Sequence, residues 1–252
     1  EAATVLRRAL PVAKWNSLLR EQFEVTPAAL GPDGLKVLTA LWRVSNGLII
    51  TTNYDETLRW VQVEGAAPAR SYGLHAAPDL STLMTASPGH PVLWHLHGSI
   101  EYPDTIVLER LEYDRLYGTL GHGHTGSSER RDRILDATLL CLRTVVATHN
   151  LLFVGTSLLD PRGNDVLADM HRLFPVARTR HFMVCLEREA DAVKKRLQDA
   201  GMNEYITPLP VRSYQAHLVA RLESLANLTG PVAAIPMTEP KWARRRCRVG
   251  GS

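Results

Sequence analysis

Short, continuously apolar segments alternate with amphipathic ones along this chain, and this alternation constrains the fold more than any other feature. The apolar segments lack the polar residues that alternate along a strand facing water, so they predict strands buried on both faces. The predicted strands are Leu48–Thr52, Pro91–Leu96, Thr105–Leu108, Leu151–Val154 and His181–Leu186.

Helical patterns lie between these strands. The clearest covers residues 127–150, where apolar side chains recur on one face and a serine is available as the N-cap. The other predicted helices are Gly34–Val44, Asp55–Val63, Asp165–Leu173, Glu189–Ala200 and Tyr214–Ala226. Helices alternating with buried strands predict an α/β fold: a Rossmann-like parallel sheet with helices on both faces and a small helical insertion.

The proline-containing stretch "TGPVAAIPMTEP" predicts that the compact unit ends near Thr229. We therefore expect one domain over residues 1–230, followed by a linker and a basic tail over residues 231–252. No apolar run approaches the roughly 18 residues that a membrane span needs, and the N-terminal residues lack the apolar core of a secretory signal. The expected location is the cytoplasm, with no membrane partner.

The basic tail accounts for the positive charge of the chain. The net charge is +3, and the last twelve residues hold five cations and no acid, so the remainder comes to +3 − 5 = −2. A terminal basic run is most often solvated. Nucleic-acid binding through the tail is a weaker alternative, and it would depend strongly on salt. The five cations are Lys241, Arg244, Arg245, Arg246 and Arg248.

Neither the cysteines nor the histidines predict a metal site. Cys141, Cys185 and Cys247 are far apart and form no CxxC pair, which argues against a four-cysteine zinc site. His122 and His124 lie in "GHGHTG", whose glycines predict a loop rather than a set of ligands. No metal is expected.

Polar residues follow three of the predicted strands. They are "TTNYD" at residues 51–55, "HGS" at residues 97–99 and "GTS" at residues 155–157. Taken alone, each has an ordinary structural interpretation: a helix cap, a histidine satisfied in the core, and a strand-to-helix turn. Ligands of open α/β sheets bind at the carboxyl ends of the strands, however, and together these segments supply an amide, an imidazole and a turn of small residues there.

These segments together resemble the sirtuin-like NAD-consuming domains of bacteria. The resemblance rests on "TTNYD", on "HLHGS" followed by "TIVLERLEYDRLY", and on "LLFVGTSLLDP", and it covers residues 47–165 best. It is strongest to the branch found in antiphage defence proteins. The resemblance implies a domain that binds NAD as a substrate and cleaves the bond between nicotinamide and ribose.

The resemblance also implies a role for each matching residue. Asn53 would orient the attacking water and the ribose, and His97 would be the general base. An amide can both accept from and donate to a water, and an imidazole titrates near neutrality, so both side chains suit these roles. The residues expected to bind NAD are Thr52, Asp55, Gly155, Thr156 and Ser157.

Asp55 would hold the nicotinamide carboxamide, and the Gly155 turn would hold the adenosine half. His95 is expected to support the site, with a catalytic role as the alternative. Asp160 is expected to cap the Gly155 turn.

The chain departs from the family pattern in two ways. No Gly-x-Gly turn precedes Gly47, although the family opens with a glycine-rich loop around the NAD pyrophosphate. Either the chain begins after that element, or NAD binding is impaired. The zinc ribbon of the protein deacetylases is also absent from the sequence, which argues against deacetylation.

The leading interpretation is therefore an NAD⁺ hydrolase that releases nicotinamide and ADP-ribose. It would act as an effector domain of antiphage defence, as a homo-oligomer or with an adjoining sensor domain or subunit. The main alternative is a non-catalytic module that senses NAD or ADP-ribose. A nucleic-acid scaffold based on the tail, a protein deacetylase and a mono-ADP-ribosyl transferase are weaker alternatives.

Overall fold

Two three-stranded parallel sheets form the framework of the molecule. In this computed structural model, the described residues are 2–63, 68–117, 129–156, 161–173, 179–229 and 234–236. The first sheet has the order β1–β4–β3, with β1 Leu48–Thr51, β3 Arg70–Tyr72 and β4 Val92–His95. The second has the order β5–β6–β7, with β5 Leu152–Phe153, β6 His181–Leu186 and β7 Ile206–Val211. A short antiparallel pair joins β2 Val61–Val63 to β8 Ala234–Pro236.

Helices cover both faces of these sheets, which confirms the predicted α/β class. The helices are α1 Ala2–Ala9, α2 Val12–Phe23, α3 Pro27–Val44, α4 Leu80–Met84, α5 Arg110–Leu116, α6 Glu129–Thr148, α7 Pro161–Leu173, α8 Ala190–Asp199 and α9 Ala216–Thr229. Helix α3 begins earlier than predicted because Thr26 caps it, accepting a hydrogen bond from the Ala29 N–H at 3.2 Å. Gly31 (φ +66°) and Pro32 kink it.

One face of both sheets is covered by α3. Trp42 of α3 packs in one apolar cluster with Leu93 of β4. Ala40, two residues earlier, packs in another cluster with Val184 of β6. A single helix therefore bridges the two sheets on this side.

The opposite face is covered by α6, whose apolar stripe was the clearest helical signal in the sequence. Val145 packs with Trp94 of β4, and Val146 packs with Met183 of β6. Successive residues of a strand point to opposite faces, so Leu93 and Trp94 place α3 and α6 on opposite sides of the same sheet.

Among the residues that the structure describes, no strand pairing joins the two sheets into one ladder. Strands β1 and β5 end the hydrogen-bonded order of their sheets and lie between α3 and α6. Every residue of β4 is buried, whereas both residues of β5 and three of the four residues of β1 are only half-buried. Strands β1 and β5 are therefore less buried than β4, the middle strand of the first sheet.

Two predicted elements are wrong. The helix predicted over Asp55–Val63 is a 3₁₀ turn, Thr57–Trp60, followed directly by β2. The Asp55 carboxylate accepts from the Thr57 N–H at 3.0 Å and holds the tight turn, and Val61 then packs against α3. The strand predicted over Thr105–Leu108 is also absent. A 3₁₀ turn, Pro103–Thr105, precedes a buried segment that belongs to neither sheet.

Several elements lacked a clear signal in the sequence. These are α1, α2, α4, α5, β2, β3, β7 and β8. Strand β7 reads "ITPLPV", and its two prolines argue against an internal strand. It lies at the edge of its sheet, where every second N–H points away from the neighbouring strand, so Pro208 and Pro210 cost no ladder hydrogen bond.

Candidate functional site

The carboxyl ends of β1 and β4 form the first part of the candidate site. Thr51 pairs with His95 in the parallel ladder, so Asn53 and His97 each lie two residues beyond a paired position. The Asn53 N–H donates to Thr51 Oγ1 at 3.1 Å, which turns the chain as the strand ends. Thr52 and Asn53 are exposed at this edge.

His95 ties the two strand ends together. It is fully buried, and its Nδ1 lies 3.2 Å from the Asn53 carbonyl oxygen. A carbonyl can only accept, so Nδ1 carries the proton in this contact. Its Nε2 lies 3.6 Å from Oε1 of Glu56, and this oxygen accepts a hydrogen bond from the Ser99 hydroxyl. This arrangement agrees with the supporting role expected for His95.

His97 is buried beneath α5. Its Nε2 lies 2.8 Å from the Tyr117 hydroxyl, and its Nδ1 lies 3.4 Å from the Tyr113 hydroxyl. Burial lowers the pKa of His97 to about 4, because the charged imidazolium is disfavoured away from water. The ring is therefore neutral at pH 7, and the titration near neutrality that was expected of this imidazole is wrong for the buried side chain.

The backbone around His97 is held as firmly as its ring. The His97 carbonyl accepts from the Val107 N–H at 2.9 Å. Gly98 has φ +89°, and a Cβ there would lie 2.6 Å from the Thr105 carbonyl oxygen. Only glycine fits this turn without displacing the neighbouring chain.

Asp55 acts as a local cap in this structure. Its Oδ1 accepts from both the N–H and the hydroxyl of Thr57, at 3.0 and 2.5 Å. Asp55 therefore caps the next turn, which is the ordinary structural role considered for it from the sequence. Its contact with a nicotinamide carboxamide stays a prediction.

The Gly155 turn lies in the second sheet, at the carboxyl end of β5. Gly155 has φ +73° and no atom within 4 Å of its potential Cβ, so the backbone is approachable there. Gly155 and Thr156 line a cleft of about 430 Å³. The other residues lining it are Met183, Cys185, Glu189, Val193, Arg196 and Tyr214. Ser157 and Asp160 lie outside the described residues.

The predicted site residues thus form two groups. Asn53 and His97 end neighbouring strands of the first sheet, whereas Gly155 and Thr156 end a strand of the second and line their own cleft. Sequence reasoning missed Tyr54, Tyr113 and Tyr117. The spacing of Tyr113 and Tyr117 in "LEYDRLY" places them on one helix face, and this was the available signal.

Cys141 and Cys185 are buried free thiols, and burial raises the pKa of both. Among the residues described by the structure, no group of three or more histidine, cysteine or acidic side chains has the geometry of a metal site. His122, His124 and Cys247 lie outside those residues. Within the same part of the chain, no helix is long and apolar enough to cross a bilayer.

Fold and site together define an α/β domain whose polar residues gather at the carboxyl ends of parallel strands, where such domains bind ligands. Residues 47–207, more than half of the 252-residue chain, match the family model of the SIR2-like domain, and the chain belongs to this family. SIR2-like domains are NAD-dependent, so the chemistry of this chain is NAD-related. A comparison with curated proteins finds no match.

Proposed function

We propose that this domain is an NAD⁺ hydrolase that cleaves the nicotinamide–ribose bond and releases nicotinamide and ADP-ribose. The observation that carries the proposal is the register of β1 and β4. Because Thr51 pairs with His95, the chain presents an amide at Asn53 and an imidazole at His97 on adjacent strand ends. An amide and a base on neighbouring strands suit the orientation and deprotonation of one water.

In the proposed reaction, a water oxygen attacks C1′ of the ribose while the C1′–nitrogen bond breaks. The bonding electrons leave with nicotinamide, which departs as a neutral base, so the protein need not supply a strong acid. Asn53 orients the water, and His97 accepts its proton. The protein's main contribution is to position the reactants and exclude bulk solvent.

The cleft at the Gly155 turn is proposed to hold the adenosine half of NAD. The open backbone at Gly155 permits close approach, and the Thr156 hydroxyl can meet a ribose or phosphate oxygen. The Tyr214 ring at the cleft offers an aromatic surface for adenine. Thr52 and Asp55 are proposed to contact the nicotinamide half, and Ser157 the adenosine half.

We further propose that the domain is an effector of bacterial antiphage defence that works as a homo-oligomer or with a sensor domain or subunit. Large apolar side chains exposed on α4 and α6 support an association surface. They are Leu80, Met84 and Leu140, which are 40%, 45% and 62% exposed. The Thr148 hydroxyl lies 3.9 Å from the Met84 sulfur, so the two helices adjoin.

One observation favours the second candidate, a module that binds NAD or ADP-ribose without cleaving it. Both ring nitrogens of His97 face tyrosine hydroxyls, and the side chain is only 6% exposed. In this arrangement Nε2 reaches a substrate only after the Tyr117 hydroxyl gives way. A sensing module would keep this closed arrangement with the ligand bound.

Nicotinamide release from NAD⁺, followed by chromatography, separates the two candidates. The wild type is compared with His97→Ala and Asn53→Ala, and each is matched by an exposed control, His90→Ala and Asn203→Ala. Loss of a positioned base costs about 10²–10⁴-fold in rate. We expect a loss of at least about 100-fold for His97→Ala, a clear loss for Asn53→Ala and none for the controls. Wild-type protein that binds ADP-ribose but releases no nicotinamide would overturn the hydrolase proposal.

A further inference from the structure

One carbonyl, three tyrosines and His97 form a continuous hydrogen-bonded network that runs from Val107 through Tyr54, Tyr113 and His97 to Tyr117. The Tyr54 hydroxyl lies 2.7 Å from the Val107 carbonyl oxygen and 3.4 Å from the Tyr113 hydroxyl. Tyr113 in turn lies 3.4 Å from His97 Nδ1, and His97 Nε2 lies 2.8 Å from Tyr117. This inference concerns the base of the proposed hydrolase and rests on that proposed function.

The Val107 end of this hydrogen-bonded network is fixed, and it determines which group donates in each of the following hydrogen bonds. The Val107 carbonyl can only accept, so the single proton of Tyr54 must point towards it. Tyr54 stays a donor because burial raises its pKa. The Tyr54 oxygen is then left as an acceptor for the Tyr113 hydroxyl.

With Tyr113 donating to Tyr54, the Tyr113 oxygen accepts from His97 Nδ1–H. The remaining nitrogen, Nε2, is then unprotonated and accepts from Tyr117. This order uses all four contacts. The reverse order, in which Tyr113 donates to Nδ1, leaves the contact between Tyr113 and Tyr54 without a proton. In a neutral histidine, the hydrogen bond made by one ring nitrogen decides whether the other nitrogen is the basic one. Here the bond from Nδ1–H to Tyr113 leaves Nε2 as the basic nitrogen.

We propose that Tyr54 and Tyr113 are positioning residues that hold the proton of His97 on Nδ1 and leave Nε2 as the basic nitrogen of the site. Tyr117, on the Nε2 side, occupies the place that a substrate hydroxyl or the attacking water takes in the reaction. Its hydroxyl lies 2.8 Å from Nε2, the separation of a normal hydrogen bond.

Helix α5 carries Tyr113 and ends at its C-cap residue Tyr117, and the helix is anchored at its start. Arg7 of α1 contacts Glu112 at 2.8 Å and Glu109 at 3.4 Å. The rings of Tyr113 and Tyr117 are nearly parallel, at 12°, and both meet the His97 ring edge-on. These contacts fix the positions of both hydroxyls relative to the imidazole.

The test reads the tautomer of His97 from the ¹⁵N chemical shifts of its ring nitrogens, assigned with a His97→Gln variant. We expect Nδ1–H in the wild type. In Tyr54→Phe, Tyr113 loses its acceptor and is free to donate to Nδ1, so the population shifts towards Nε2–H. Tyr113→Phe removes the acceptor of Nδ1–H and produces the same shift. Tyr117→Phe leaves the Nδ1 side intact and keeps Nδ1–H.

The kinetic readout uses the same variants, with Tyr102→Phe as a control outside the network. A misplaced histidine tautomer costs several orders of magnitude in a well-studied hydrolase, so we expect kcat to fall about tenfold or more in Tyr54→Phe with little change in KM. A wild type that carries Nε2–H, or phenylalanine variants that leave the tautomer unchanged, would overturn the inference. If no variant and no wild-type protein hydrolyses NAD⁺, the proposed function fails, and the tautomer measurement still decides the inference.

Discussion

At the scale of single residues, the candidate site depends on one glycine as much as on its polar side chains. Gly98 turns the chain directly after His97 in a left-handed conformation, φ +89°. A Cβ at this position would lie 2.6 Å from the Thr105 carbonyl oxygen, which belongs to backbone and not to a flexible side chain. The placement of His97 beneath α5 therefore requires glycine at position 98.

We expect Gly98→Ala to destabilise the protein by about 1–3 kcal/mol, from the cost of the positive φ together with the backbone clash. Urea unfolding measures this change. The matched control is Gly89→Ala, because no atom lies within 4 Å of its potential Cβ and its φ is not positive. Equal effects of the two substitutions would show that the turn at Gly98 is not tightly constrained.

At the scale of elements, α7 and β6 meet through two buried histidines. The rings of His171 and His181 lie 5.3 Å apart, and His171 stacks on Tyr205 at 3.7 Å. The Leu151 N–H donates to His181 Nδ1 at 3.2 Å, so a proton arriving at that nitrogen breaks the contact with the start of β5. Burial, together with the nearby His171, lowers the pKa of His181 to about 4.

This lowered pKa makes stability depend on pH in a defined direction. The unfolded chain binds a proton near pH 6.5, and the folded protein resists it until about pH 4, so unfolding takes up protons between these values. The stabilisation is fully present above pH 6.5 and is lost as the pH falls towards 4. His97 behaves in the same way.

We expect the free energy of unfolding to fall on the order of 1 kcal/mol per pH unit for each of these two histidines in that window. Urea unfolding at pH 7, 6 and 5 measures the slope. His181→Gln should flatten the slope, whereas His90→Gln, at an exposed position, should leave it unchanged. If the slope in His181→Gln equals that of the wild type, the lowered pKa of His181 is not a source of the pH dependence.

At the scale of the whole molecule, the division of the sheet is the main feature. Strands β1 and β5 each pair with a neighbouring strand on one side. On the other side, neither strand has a paired neighbour among the described residues. Along a parallel strand, alternate N–H groups point to opposite sides. Ile50 in β1 and Leu152 in β5 therefore direct their N–H groups away from their neighbours.

We expect the amides of Ile50 and Leu152 to exchange with deuterium about 100-fold faster than those of Trp94 and Val184, which lie in the central strands β4 and β6. NMR-detected hydrogen exchange at residue resolution measures these rates. Comparable protection of all four amides would show that another segment pairs with the two inner edges in solution.

The local pattern of the sequence was sufficient for much of the architecture. Continuous apolar runs predicted β6 at its observed limits and β1, β4 and β5 within two residues at each end, because strands covered on both faces must be apolar throughout. The stripe of α6 was equally clear. The same reasoning placed Asn53 and His97 at strand ends, since the carboxyl ends of parallel strands gather at one edge.

Only the tertiary structure decided what surrounds those residues. The run Thr105–Leu108 is as apolar as a strand, yet it serves as a buried segment whose Val107 contacts His97 and Tyr54 through its backbone. Tyr54, Tyr113 and Tyr117 look like ordinary aromatic residues in the sequence. The hydroxyls of Tyr113 and Tyr117 contact His97, and that of Tyr54 contacts Tyr113, only because α5 packs over the end of β4. Apolar patterning records how much of a segment is buried, whereas hydrogen-bond partners distant in sequence depend on the packing of whole elements.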